Sequence, residues 1–157
     1  MELFRIARDN YIHDLSGTGA KIYGGRWNRP GVPVLYTSQA RSLALLELIV
    51  HFRSSHAFAL PYSFAVIKTD PSLIEPFDAS NLPENWIQLH QEILWKWTEY
   101  YFYEKNVCIV KVPSVLVKGE YNFLINPLHS LFSDNVIIKH IEDALLDKRY
   151  QAIIART

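Results

Sequence analysis

The spacing of apolar and polar positions changes along the chain, and each change marks an element. Residues 3–7 form a short apolar run interrupted by Arg5, which predicts a first strand. Arg29-Pro30-Gly31 has turn chemistry and leads into a second predicted strand over 32–36, ending in Tyr36. Either Thr37 or Ser38 can then cap a helix that runs to about residue 52. On that helix Leu43, Leu46, Glu47 and Val50 follow the i, i+3, i+4, i+7 spacing, so the sequence places the Glu47 carboxylate on the leucine face.

Further strands are predicted over 63–68, 107–112, 121–125 and 136–141, the first three ending at Thr69-Asp70-Pro71, Pro113-Ser114 and Asn126-Pro127. A short helix over 142–148 is expected after the last. Residues 83–105 read as a helix crowded with aromatic rings, from Trp86 through Trp95 and Trp97 to Tyr103, and such rings favour packing over a cofactor box. Ser16-Gly17-Thr18-Gly19 has the composition of a loop. Strands dispersed among a few helices, without regular βαβ alternation, predict a single α+β domain over 1–157 and argue against a doubly wound nucleotide-binding fold. Neither a Gly-x-Gly-x-x-Gly fingerprint nor a phosphate-loop Gly-Lys-Ser/Thr string occurs.

Composition narrows the function classes. With 49% apolar and 13% aromatic residues, the 157-residue chain can bury enough surface to fold. Sixteen basic and sixteen acidic side chains cancel, so the long-range field of a protein working directly on nucleic acid is missing, while a local cationic pocket stays open. The same neutrality weakens the barrier to self-association, which leaves a homo-oligomer open. Cys108 is the single cysteine, set in an apolar segment with nothing nearby to lower its pKa, and is expected to be a buried, inert thiol. No stretch approaches the roughly 20 apolar residues that span a bilayer, and the first residues lack a secretory pattern, so a reducing cytoplasm is the expected compartment. The six histidines form no metal pattern: His51 and His56 are five apart and do not stack on one helix face.

The candidate chemistry lies early in the chain. Gly24-Gly25 lets the backbone approach a ligand just before Arg26, whose guanidinium fork suits phosphate or carboxylate oxygens; an ordinary loop arginine is the alternative. Glu47 carries more weight, because a carboxylate among leucines must be hydrogen-bonded or have its pKa raised. It could accept from ribose hydroxyls or face a cationic transition state at an anomeric carbon, unless the helix rim is wet and it reaches solvent, or the chain is a non-catalytic binding module in which Glu47 is buried and satisfied structurally. Tyr36 can stack on a base or pyridinium, or pack its strand onto the helix. Ser114 and Asn126 follow strands and can meet a ligand, or can serve as turn formers.

Taken in order, Phe4-Arg5-Ile6, Ser16-Gly17-Thr18-Gly19-Ala20, Tyr23-Gly24-Gly25-Arg26-Trp27-Asn28, Val34-Leu35-Tyr36-Thr37, Leu43-Ala44-Leu45-Leu46-Glu47, Val112-Pro113-Ser114 and Asn122-Phe123-Leu124-Ile125-Asn126-Pro127-Leu128-His129 resemble the RES-domain family over nearly the whole chain. That family supplies toxins of bacterial toxin–antitoxin pairs. The resemblance implies a fold similar to the ADP-ribosyltransferases, a mixed β core with flanking helices. It implies NAD as substrate, with no prosthetic group or metal. The implied reaction is cleavage of the nicotinamide–ribose bond by phosphorolysis, with inorganic phosphate as co-substrate, or by hydrolysis; one branch of the family transfers ADP-ribose to a protein. It assigns Arg26, Glu47 and Ser114 to the family's Arg, Glu and Ser, and adds Arg5, Tyr36 and Asn126 as NAD contacts. It also implies a cognate antitoxin with a helix-turn-helix region. The segment Glu92-Ile93-Leu94-Trp95-Lys96-Trp97 departs from the family's Gly-Asp-Trp-like string.

Overall fold

The described strands build one seven-stranded sheet. The computed structural model describes residues 1–52, 60–88, 92–147 and 149. The strands are β1 (Glu2–Arg8), β2 (Leu35–Ser38), β3 (Tyr62–Lys68), β4 (Ile74–Pro76), β5 (Ile109–Pro113), β6 (Tyr121–Ile125) and β7 (Ile137–Asp143), in the order β4-β5-β6-β2-β1-β3-β7. Only β4 and β5 run parallel; every other pairing is antiparallel. Four α-helices accompany the sheet among the described residues: α1 (Thr18–Tyr23), α2 (Arg41–Val50), α3 (Glu92–Glu99) and α4 (Phe132–Asn135). The fold is α+β with a mixed sheet.

The two faces of the sheet are covered differently. One face is sealed by a cluster in which Leu3, Leu35, Ala65, Ile67, Ile109, Phe123 and Ile125 pack with Ile12 and Val136. The other carries two clusters: Val110, Val112 and Leu124 pack with Trp27, Phe77 and the residues of α3, while Phe4, Phe64 and Val66 pack under Ala44 of α2. Between these clusters lies an in-register row, Val112–Asn122–Ser38–Phe4–Val66, in which two neighbouring positions are polar.

Several boundaries differ from the sequence pattern for identifiable reasons. The second strand begins at Leu35 instead of residue 32, because Pro33 has no N–H for a ladder. It runs through Thr37 and Ser38, whose hydroxyls donate to Phe123 O at 3.1 Å and Asn122 Oδ1 at 2.6 Å; neither caps α2, and the N-cap is Ala40 in extended backbone. Thr18 and Gly19 open α1 instead of lying in a loop. Within 83–105, residues 84–88 form turns, with Trp86 N–H donating to Pro83 O, residues 89–91 lie outside the described residues, and a helix spans Glu92–Glu99 before a π-helical turn over Tyr100–Glu104. The strand expected over 107–112 starts at Ile109, Val107 and Cys108 being buried just ahead of it.

The expected C-terminal helix is replaced at its start by sheet. Glu142 and Asp143 pair with Phe64 and Ser63, and Glu142 is further tied to Arg41. Residues 144–147 are not helical, and Lys148 lies outside the described residues. Strand β4 and helix α4 have no counterpart in the sequence reading, both being too short to show a period. No described helix is long and apolar enough to cross a membrane.

Candidate functional site

The polar row opens into a cavity of about 710 Å³ between the two apolar clusters. Its walls come from β1, β2, α1, the glycine loop, α2, Asn122 and the loop after β5. The α2 residues that reach it are Ala44, Glu47, Leu48, Val50 and His51, so Glu47 and Val50 of the sequence reading line it, while Ala44, Leu48 and His51 follow the same spacing shifted by one residue. Leu43 does bury, but Leu46 and Val50 are 36% and 52% exposed, so the face read from the sequence is only partly inward. Glu47 is half-buried and lines the cavity.

Glu47 is held. Its Oε1 accepts a hydrogen bond from Asn122 Nδ2 at 2.6 Å, and Asn122 Oδ1 accepts from Ser38 Oγ at 2.6 Å. A charge-assisted bond of this kind offsets much of the cost of withdrawing a carboxylate from water.

The glycine loop is built around Tyr36. Its hydroxyl donates to Asn28 Oδ1 at 2.7 Å and accepts from Trp27 N–H at 3.1 Å, while Asn28 Nδ2 donates to the carbonyls of Ala20, Arg29 and Val32. Burial, and to a lesser degree the negative charge of Glu47, pushes the Tyr36 phenol well above its ordinary pKa, so the ring is neutral. Gly25 lies directly against that hydroxyl: a Cβ there would sit 2.7 Å from the Tyr36 oxygen and 2.9 Å from Asn28 Oδ1. Gly24 adopts φ 70°, a conformation that favours glycine. The pair therefore brings Arg26 to the cavity wall by close packing as well as by backbone freedom.

The aromatic segment braces this loop from behind. Trp95 Nε1 donates to Gly25 O at 3.0 Å, Trp86 lies 6.0 Å from Trp27 between ring centroids, and Arg26 Nη1 donates to Ile87 O at 3.3 Å. The Arg26 guanidinium is half-buried at the cavity wall.

Arg5 also contributes to the wall, yet strand alternation sets its side chain with Leu3 and Ala7, opposite Phe4 and Ile6. Its Nη1 donates to Tyr11 O and Ile12 O, both at 2.9 Å; burial lowers its pKa and the Asp14 carboxylate partly opposes that. Ser114 and Asn126 are buried and do not line the cavity. Ser114 Oγ accepts from Leu116 and Val117 N–H, fixing the turn that puts Val115 and Leu116 on the wall; Asn126 Oδ1 accepts from Leu128 N–H. The structure thus gathers Arg26, Tyr36 and Glu47 around one space, with Arg5 at its edge and Ser114 and Asn126 behind it.

Three contributors were missed from sequence. Asn122 had a signal: in β6 it alternates with Leu124 on a face where an apolar residue is expected. Asn28 sits inside the Gly-Gly-Arg-Trp-Asn string without a pattern of its own. Trp95 had none, because its contact spans 70 residues. Among the described residues no cluster of His, Cys, Asp and Glu could hold a metal. Burial pushes the Cys108 thiol up to about 11, as its apolar setting suggested.

A family model for the RES domain matches residues 2–147. The chain belongs to the RES domain family. This RES domain is 36% identical over 132 residues to the Prs ADP-ribosylating toxin of Sphingobium sp. (strain YBL2), covering 80% of this chain and 82% of that one. It is 35% identical over 136 residues to Toxin Res of Photorhabdus laumondii, covering 82% and 83%. In fold it is similar to a chain from the crystal structure of the M. tuberculosis MbcT–MbcA toxin–antitoxin complex, with a TM-score of 0.67 and 18% identity over 98% of this chain and 88% of that one.

Proposed function

We propose that this RES domain is the toxin of a toxin–antitoxin pair and consumes NAD by breaking the nicotinamide–ribose bond. One observation carries the reading: a carboxylate fixed by an asparagine amide faces a cavity that it shares with a guanidinium and a neutral tyrosine. When the C1′–N bond breaks, both bonding electrons leave with the pyridinium nitrogen, so nicotinamide departs neutral and needs no proton from an acid. Positive charge develops instead on the ribose C1′ and ring oxygen, where Glu47 stabilises it. Such preorganised electrostatics is typically the largest single contribution to a rate enhancement. Arg26 holds the diphosphate or an incoming phosphate, and Tyr36 stacks near the nicotinamide ring. Arg5, whose guanidinium is bonded to Tyr11 O and Ile12 O on the opposite face, contributes through the strand it anchors. Ser114 and Asn126 act through the loops they fix.

The oxocarbenium carbon is then captured by an oxygen of inorganic phosphate, giving ADP-ribose phosphate, or by water, whose proton passes to solvent. Incubation of the purified chain with NAD, with and without phosphate, tests this by mass. Nicotinamide release with a phosphorylated product supports phosphorolysis, and free ADP-ribose supports hydrolysis. Absence of nicotinamide under both conditions, together with harmless expression in cells, sinks the reading.

A second reading has its own support, since one relative at 36% identity carries the name of an ADP-ribosylating toxin. The same cavity would then deliver ADP-ribose to a protein, and label from NAD would appear on a protein band. In either case an NAD-consuming chain in a cytoplasm requires restraint. The partner proposed is an antitoxin with a helix-turn-helix region that closes the cavity mouth, and co-expression of the neighbouring gene should restore growth.

A further inference from the structure

We propose that Asn122, oriented by Ser38, is the positioning residue that aims the Glu47 carboxylate into the cavity. The proposal rests on the reading that Glu47 acts on NAD and adds the residues that set its geometry.

Three elements meet at this point. Ser38 and Asn122 are register partners on β2 and β6, and both point toward α2, which carries Glu47. An ionised carboxylate can only accept hydrogen bonds, so Asn122 must present its amide nitrogen to Glu47. The amide oxygen then faces Ser38 Oγ at 2.6 Å, and the hydroxyl spends its one hydrogen there. The polarity of the chain is therefore fixed, running Ser38 to Asn122 to Glu47. The row continues on both sides through Val112 and Phe4 as the flanking partners, so the amide ties the helix-borne carboxylate to the sheet.

The charged and titratable groups around the cavity are few. Tyr36 faces Glu47 from β2, Tyr23 comes from α1, Arg5 stands at the edge from β1, Arg26 comes from the glycine loop, and His51 lies one turn along α2. From β6 the group presented is the neutral Asn122. Exchanging that amide for a carboxylate sets two acids against each other, and one must then hold a proton at a higher pH.

The test compares nicotinamide release by the full chain with that of Asn122→Ala, Asn122→Asp and Ser38→Ala. Loss of orientation without loss of binding predicts a kcat lower by about 10–100-fold in Asn122→Ala, with KM for NAD within about threefold. Asn122→Asp should move the acidic limb of the kcat–pH profile up by about one pH unit, because the new carboxylate stands against Glu47, whereas a residue out of reach of Glu47 would leave the limb in place. Ser38→Ala should lower kcat by roughly threefold to tenfold and leave that limb in place. A folded Asn122→Ala variant with kcat within about twofold of the parent, or an unmoved limb in Asn122→Asp, overturns the proposal.

A second readout needs no turnover. Carbon NMR titration of the Glu47 side-chain carboxyl, assigned with Glu47→Gln, should shift up in Asn122→Ala, which removes the amide donor to the ionised carboxylate without adding a charge. If the parent chain releases no nicotinamide, the NAD reading fails while this titration still decides the positioning. An unchanged Glu47 titration curve refutes it.

Discussion

The two faces of the sheet use the same strands for opposite ends. On one, β1, β2, β5 and β6 contribute Leu3, Leu35, Ile109, Phe123 and Ile125 to an unbroken apolar cluster. On the other, the neighbouring residues of those strands include Ser38, Asn122 and Tyr36, which separate a pair of clusters and leave a cavity between them. A single residue step along a strand separates core from site. The closed face supplies cohesion, and the open face gives up some of it to keep polar groups where a ligand can reach them.

Substitutions can break this contrast in graded steps. The largest expected effect is on the closed face: Phe123→Ala removes a ring that is 1% exposed and should destabilise the fold by about 3–5 kcal/mol, read from urea midpoints. If activity per folded molecule fell as steeply as stability, the division between the faces would be wrong. Glu47→Gln works the other way. It keeps size and shape, should leave the urea midpoint nearly unchanged, and should slow nicotinamide release by about 10²–10³-fold, roughly 2.7–4 kcal/mol of transition-state stabilisation.

The smallest effect is an alkaline one that samples both faces. Cys108, in the closed-face cluster, and Tyr36, in the open one, both have pKa values raised by burial. An acid whose folded pKa is raised keeps its proton in the native state while the unfolded chain gives it up. Its contribution is complete below the unfolded pKa and disappears as pH climbs through the folded one. Stability should therefore fall from about pH 9 to about pH 11 through Cys108, with Tyr36 adding to the loss from about pH 10 upward. The rise from 9.0 to about 11 sets the Cys108 contribution at no more than about 2.7 kcal/mol. Cys108→Ala should remove the lower portion of this decline and Tyr36→Phe the upper, as read from melting midpoints against pH.

Much of the closed face was legible in the sequence, because short apolar runs such as 64–67 and 123–125 have one physical use. The open face was legible only in pieces. Arg26 and Tyr36 stood out beside glycines and at a strand end, and Glu47 stood out among leucines. Part of the helical stripe was set one residue off because leucines at a cavity edge look the same in sequence as leucines in a core. Ser38 was read as a cap, since a hydroxyl before a helix has two uses and only the partner strand, 84 residues away, selects between them. The bracing by Trp95 and Trp86 depends on which loop meets which helix, and no local pattern encodes that.

The row Asn122–Ser38–Phe4 also sets a timetable. Its members come from the start, the first quarter and the last third of the chain, and Glu47 hangs from the helix between them. During synthesis the residues up to Val50 can emerge with Arg26, Tyr36 and Glu47 all present and still enclose nothing, because β6 has yet to be made. Whatever chemistry the cavity performs begins only once β6 has been made. A partner that recognises the early segment would have the interval between the synthesis of Val50 and that of Asn122 in which to reach it.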